Sequence, residues 1–148
     1  MRNPILVTAE VAMNILDLFQ NDEDIQEFKS GFVIFKEGDS GDVMYVVISG
    51  SVEMKLKGVV VNLIGSNEVF GEMALVDGSP RSATAQVLND CKIVTVKQAK
   101  FEALIQKQPE FALYVMQIMA ERLRKMTELS IREKIKRVDS KILDALFD

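Results

Sequence analysis

The stretch Val69–Ala85, "VFGEMALVDGSPRSATA", combines an apolar run with a single buried-looking acid, Glu72, and an arginine, Arg81, nine positions later. Charges stay out of apolar surroundings unless a partner or a ligand compensates them. "FGEMAL" places a glycine before good helix formers, which predicts a turn opening into a short helix. Backbone N–H groups at such a helix start are unpaired and attract an anion. "DGSPR" then reverses the chain through Gly78 and Pro80 and carries Arg81 back toward the helix start. A guanidinium and free amides converging on one point make a phosphate cradle. Glu72 cannot attract a phosphate, so it must face a hydrogen-bond donor, or Arg81 itself; a sugar hydroxyl beside the phosphate would suit it. Ser82 adds a further donor. The plainer alternative is a solvated Glu72, a surface ion pair with Arg81 and an ordinary turn. The residues alone leave both open.

Upstream, "GFVIFKEGDSGDVMYVVISGSVEMKLKGVVVNLIGSNEVFG", from Gly31 to Gly71, is rich in valine and isoleucine and broken by glycines. It predicts short strands joined by turns. Val52, Met54 and Leu56 alternate with Glu53, Lys55 and Lys57, as a strand with one wet face requires. "EGDSGD" and "ISGS" read as turns. "SATAQVLNDCKIVTVKQ" reads as another strand pair bent at "ND". Regular short strands of this kind form a barrel or roll.

Both ends read as helical. Residues 9–30 place Val11, Ile15, Leu18 and Phe19 on one face. "KQAKFEALIQKQPEF" predicts a short helix stopped at Pro109, where a long one begins. Along the long helix Met116, Met119, Leu123 and Met126 form a heptad-like seam suited to a partner helix. Ile131, Ile135, Val138 and Ile142 form a second seam, rotated from the first. Asp139 or Ser140 is expected to break the helix and cap a last short one, "KILDALF".

Composition excludes much chemistry. The 148 residues are 48% apolar and 27% charged, as in a folded domain, and no uninterrupted apolar run exceeds six residues. With no histidine and one cysteine, histidine-dependent nucleophilic catalysis, four-cysteine clusters and most zinc sites are ruled out. "DGSPR" and "NDEDIQE" lack the ligand spacing of a calcium loop, so no metal site is expected. Cys91 is expected to be a buried or half-buried strand residue rather than a reactive thiol, and a lone cysteine suits a reducing compartment. No signal peptide is read at the N-terminus, so the expected location is cytoplasmic. Net charge is −4, yet residues 121–141 hold eight basic and four acidic residues. Interspersed at helical spacing, these read as a solvated helix face rather than a nucleic-acid footprint.

"FGEMALVDGSPRSATA" closely resembles the phosphate-binding cassette of cyclic nucleotide-binding domains, and "IFKEGDSGDVMYVVISGSVEM" resembles that family's barrel strands. The resemblance runs from about Phe28 to Phe147. It implies an α+β, mainly β fold: an eight-stranded, jelly-roll-like β-roll with a flanking N-terminal helix and a long C-terminal helix. The expected organisation is an N-terminal helical segment over 1–30, the roll over 31–108 with its cassette at 69–85, and a lid and dimerisation helix over 109–148. The resemblance implies that Glu72 binds the ribose and Arg81 the phosphate. Gly71, Met73, Ala74, Ser82 and Ala83 complete the cassette, Ser82 through its amide and hydroxyl. Thr127, on the long helix, aligns with one of two hydroxyl residues that catabolite activator-like members set against adenine; Met126 stands at the other. The implied function is a non-enzymatic sensor of cAMP, or alternatively cGMP, that pairs as a homodimer through its long helix. No catalytic cofactor, membrane or direct nucleic-acid contact is expected. A degenerate domain that mediates association without nucleotide is the other reading, and intact Glu72 and Arg81 argue against it. Catabolite activator-like regulators continue into a helix-turn-helix that these residues do not contain, so the expectation is a sensory domain, alone or as half of a regulator.

Overall fold

The structure, a computed structural model, describes residues 15–19 and 21–147. A short helix α1 (Ile15–Phe19) precedes strands β1 (Ile25–Phe28), β2 (Val33–Phe35), β3 (Val43–Leu56), β4 (Val59–Ile64) and β5 (Val69–Phe70). Helix α2 (Glu72–Asp77), strand β6 (Thr84–Lys97) and helices α3 (Gln98–Lys107) and α4 (Glu110–Phe147) follow.

The described residues hold six strands rather than the expected eight, in one antiparallel sheet. The difference lies in β3 and β6, each 14 residues long. "ISGS" and "ND", expected to be turns, are bends inside continuous strands. The pairing of β3 with β6 shifts register between Val47 and Ser49, Ser49 and Ser51, and Ser51 and Val52. Gly50 sits at that bulge with φ 88°, and a Cβ there would lie 2.4 Å from the Asp90 carbonyl oxygen. A bulge bends a strand without ending it. Each long strand therefore changes neighbours along its length. The first part of β3 bonds β5 and its second part β4, while β6 bonds β2 early and β1 late.

Period-two alternation sorts the side chains into two cores. Met44, Val46, Val94 and Val96 face the helices and pack with Phe19, Phe111, Tyr114 and Val115. Val47, Val52, Val87 and Ile93 face the interior of the roll with Phe35, Ile64 and Phe70. Cys91 is buried there as expected, and burial pushes its thiol up from the ordinary cysteine range.

Two helical expectations fail. Ile25–Phe28 is a strand where a helix was read, because Ile25 to Phe28 pair with Val94 to Cys91 and tertiary pairing overrides a short apolar periodicity; Val11 and residues 9–14 lie outside the described residues. Helix α4 also runs through Asp139 and Ser140 unbroken. No proline or glycine occurs from 110 to 147, and serine or aspartate inside a helix costs only a few tenths of a kcal/mol, about 0.5. The break between α3 and α4 at Pro109 falls as expected. Lys100 ties the start of α3 to the turn before β1, with its Nζ 2.6 Å from Asp22 and 2.8 Å from Asp24.

Candidate functional site

The cassette forms the predicted turn, short helix and turn. Gly71 caps α2 with φ 75°, a left-handed conformation that glycine adopts without strain. At the far end Gly78, also left-handed, donates its N–H to the Ala74 carbonyl at 2.9 Å. Asp77 accepts from the Ser79 amide at 2.9 Å, and its hydrogen bonds to Ser79 hold the carboxyl below the usual range. The loop before β3 then clasps Arg81: the Arg81 amide donates to the Asp39 carbonyl and the Gly38 amide to the Arg81 carbonyl, each at 2.8 Å.

The Arg81 side chain is buried. Its Nη1 donates to the Gly71 carbonyl and its Nη2 to the Val43 carbonyl, both at 2.9 Å. The guanidinium carbon lies 4.2 Å from the Phe35 ring centroid, an attractive cation–π arrangement. Behind it Tyr45 stacks on Phe70 with centroids 4.9 Å apart. The Arg81 Nε is buried without a hydrogen-bond partner. A cation held in an apolar seat with its Nε unpartnered can take an anion.

Glu72 is buried too, 4% exposed, but its partner is not Arg81. Arg122 of α4 reaches across, its Nη1 2.5 Å from Glu72 Oε1, while its Nη2 donates to the Val69 carbonyl. In the sequence Arg122 counts as one charge of a solvated face. The missed signal is spacing. Phe111, Val115, Ile118 and Arg122 step by four, three and four, and the first three pack on the core. An arginine in that row faces inward. Gly41 was missed as well: a Cβ there would lie 2.5 Å from Arg81 Nε and 2.6 Å from Nη2.

The other expected residues divide. Ala74 and Ala83 are buried in the cassette, and Ser82 is exposed beside Arg81 in the chain. Met73 is half exposed on α2. Thr127 is not brought to the cassette. It stands exposed on α4, with its hydroxyl donating to the Leu123 carbonyl at 2.9 Å. At ~100° per residue it lies ~140° around the helix from Arg122. Between β4 and α4 a cleft of about 340 Å³ opens toward Arg122, lined by Asn62, Leu63, Glu68, Tyr114, Gln117 and Glu121 among others.

Because Gly41 has no room for a side chain, Gly41→Ala should push the guanidinium off Phe35. We expect ligand affinity to fall about 10-fold or more, as a displaced charge-assisted contact costs ~1.5–3 kcal/mol. Calorimetric titration beside a melting curve would check this, and undiminished affinity would show that Gly41 does not seat Arg81.

The roll thus carries a short helix and a buried arginine between β5 and β6. The chain belongs to the cyclic nucleotide-binding domain family, whose model matches residues 25–108. It is 34% identical over 128 residues to the cyclic AMP receptor protein of Thermus thermophilus, covering 80% of this chain and 59% of that one. Among solved structures, the Thermus thermophilus catabolite activator protein superposes with a TM-score of 0.66 at 31% identity, over 88% of this chain and 60% of that one. The lysophospholipase nte1 of Aspergillus oryzae is 30% identical over 113 residues, which is 73% of this chain but 7% of the enzyme. The chain spans about half the length of the curated regulators it matches. Among the described residues no helix is long and apolar enough to cross a membrane.

Proposed function

We propose that this chain is a cytoplasmic cAMP sensor that binds its ligand without turning it over and works as a pair of identical chains joined along α4. The observation that carries the reading is the buried Arg81 guanidinium, with an unused Nε, beside the buried Glu72–Arg122 pair. In this reading the cyclic phosphate takes Arg81 and the Ser82 donors, and the ribose 2′-hydroxyl takes Glu72. Gly71, Met73, Ala74 and Ala83 frame the ligand. The base extends toward the cleft between β4 and α4. Arg122 makes α4 sense the ligand, because a sugar hydroxyl at Glu72 competes for the carboxylate that Arg122 holds. Thr127 faces away from its own Glu72 and is assigned to the base only where two α4 helices are paired. The kinship with a cyclic AMP receptor protein favours cAMP. A cGMP sensor is the second reading, favoured by the exposed Ser82 hydroxyl, which is free to donate toward a syn guanine.

The test is thermal melting and calorimetric titration with cAMP, cGMP, 2′-deoxy-cAMP and 5′-AMP. At ~100 times its dissociation constant, cAMP should add about 2.7 kcal/mol to stability. The deoxy analogue should bind more weakly, and 5′-AMP at equal concentration should shift the melt little. Equal shifts from cAMP and 5′-AMP would reduce the site to a general anion cradle, and a larger shift from cGMP would reverse the choice of base.

A further inference from the structure

Asn62 is the one polar residue of β4. It pairs with Met54 of β3, and Ile64, two positions on, pairs with Val52. Residues directly opposite each other, and alternate residues along a strand, share a face of the sheet. Val52 and Ile64 are fully buried inside the roll, and Met54 packs against the same core. Asn62 therefore stands half-buried in an inward-facing row, while its neighbours Val61 and Leu63 are exposed. An amide in such a row needs partners. One is present: the Leu63 amide donates to Asn62 Oδ1 at 2.9 Å. The second lone pair of Oδ1 and both hydrogens of Nδ2 bond to no described residue.

The row opens onto the cleft between β4 and α4, which Asn62 lines together with Arg122, the partner of Glu72. A base carried by a ribose at Glu72 enters there. The Tyr114 hydroxyl is committed to the Asn67 carbonyl and Arg122 to Glu72 and Val69. Gln117, the other neutral amide of the cleft, has no bond to hold its longer side chain, so binding through it would cost rotamer freedom. The Leu63 amide holds Asn62 in orientation, with a donor and an acceptor side by side, before any ligand arrives.

We infer that Asn62 is the residue by which this site tells adenine from guanine, its Nδ2 donating to N7 and its Oδ1 accepting from the N6 amino group. The inference rests on the cyclic nucleotide reading above and adds to it which side chain selects the base. Adenine presents an acceptor at N7 beside a donor at N6, the complement of a carboxamide. Guanine presents acceptors at both N7 and O6, so Oδ1 would meet an oxygen. Because β4 belongs to the same chain as Glu72 and Arg81, one copy selects its base whatever the state of α4.

The test is calorimetric titration of the full chain with cAMP, cGMP, cIMP, which carries oxygen in place of the N6 amino group, and 7-deaza-cAMP, which lacks the N7 acceptor. Wild type should bind cIMP and cGMP roughly 5- to 150-fold more weakly than cAMP. 7-Deaza-cAMP, missing one hydrogen bond, should bind roughly 3- to 10-fold more weakly. Asn62→Leu, of similar volume, should erase these preferences by weakening cAMP while leaving cIMP and cGMP near their wild-type affinities. Asn62→Asp keeps the oxygen and loses the donor, so it should still prefer cAMP to cIMP but no longer favour it over 7-deaza-cAMP. Both variants should melt close to wild type, since the adjacent Leu63 amide is the side chain's one hydrogen-bond partner among the described residues. An Asn62→Leu protein that keeps the wild-type ranking would overturn the inference and leave the cyclic nucleotide reading standing. So would a wild type that binds cAMP and cIMP equally. Tighter binding of cGMP than cAMP would overturn it and reverse the choice of base, with the phosphate and ribose assignments intact. A wild type that binds none of the four would overturn this inference and the proposed function together.

Discussion

Arg81→Ala should lose cAMP affinity by on the order of 30- to several-thousand-fold, the ~2–5 kcal/mol that truncating one partner of a desolvated charge contact removes. The size of the effect follows from the seat. Arg81 is 6% exposed and flanked by Phe35, so little water is available to take over its work. The substitution also strips the Gly71 and Val43 carbonyls of their donors, at ~1–3 kcal/mol each if they stay buried. A melting curve must therefore accompany the titration. Arg81→Lys separates the two effects: it keeps the charge but loses the planar fork that spans both carbonyls. The expected order of affinity is wild type, then Arg81→Lys, then Arg81→Ala. Full affinity in a folded Arg81→Ala protein would remove the phosphate role.

Arg122→Ala should have the largest effect on the unliganded protein. It leaves Glu72 charged and alone at 4% exposure. Removing one partner of a fully buried pair costs ~3–5 kcal/mol. The Arg122 side chain is 23% exposed, so water can partly replace it, and ~1–3 kcal/mol is the better expectation. Glu72→Gln in the Arg122→Ala background should recover much of the loss, because the stranded charge is gone. That double-mutant cycle, read by urea unfolding, isolates the pair. If Arg122→Ala is as stable as wild type, Glu72 is solvated and the link between α4 and the cassette is not energetic.

The cassette was legible because its chemistry is local. Glycine at Gly71, helix formers after it and the reversal at Gly78 and Pro80 lie within a dozen residues, and the structure folds them as read. Arg122 was not legible from local charge pattern, since it sits among seven other basic residues and its inward direction depends on where α4 rests on the roll. The strand count failed for a related reason. Glycine in "ISGS" marks a bend, but whether a bend ends a strand depends on a neighbour, here Asp90 and Cys91 of β6, some 40 residues away. β1 was misread because four residues carry too little periodicity to outweigh a pairing partner at Cys91–Val94. Thr127 was identified through alignment alone, and the structure places it on another face of α4 from Arg122.

The placement of β6 governs the order in which this chain can become a protein. It is the last strand in sequence, yet β1, β2 and β3 all bond to it. During synthesis everything up to Ser82 must wait without its main partner. The valine-rich strand β3 can pair only with β4 and the two-residue β5, a small part of the sheet. Pairings such as Ile25 with Val94 close loops of about 70 residues, which makes folding slow as well as late. Arg81, three residues before β6, thus reaches its seat between Gly71 and Val43 in the same event that completes the sheet. A nascent chain therefore seats Arg81 and completes its tertiary structure together, so binding of the proposed ligand would report that the roll has closed.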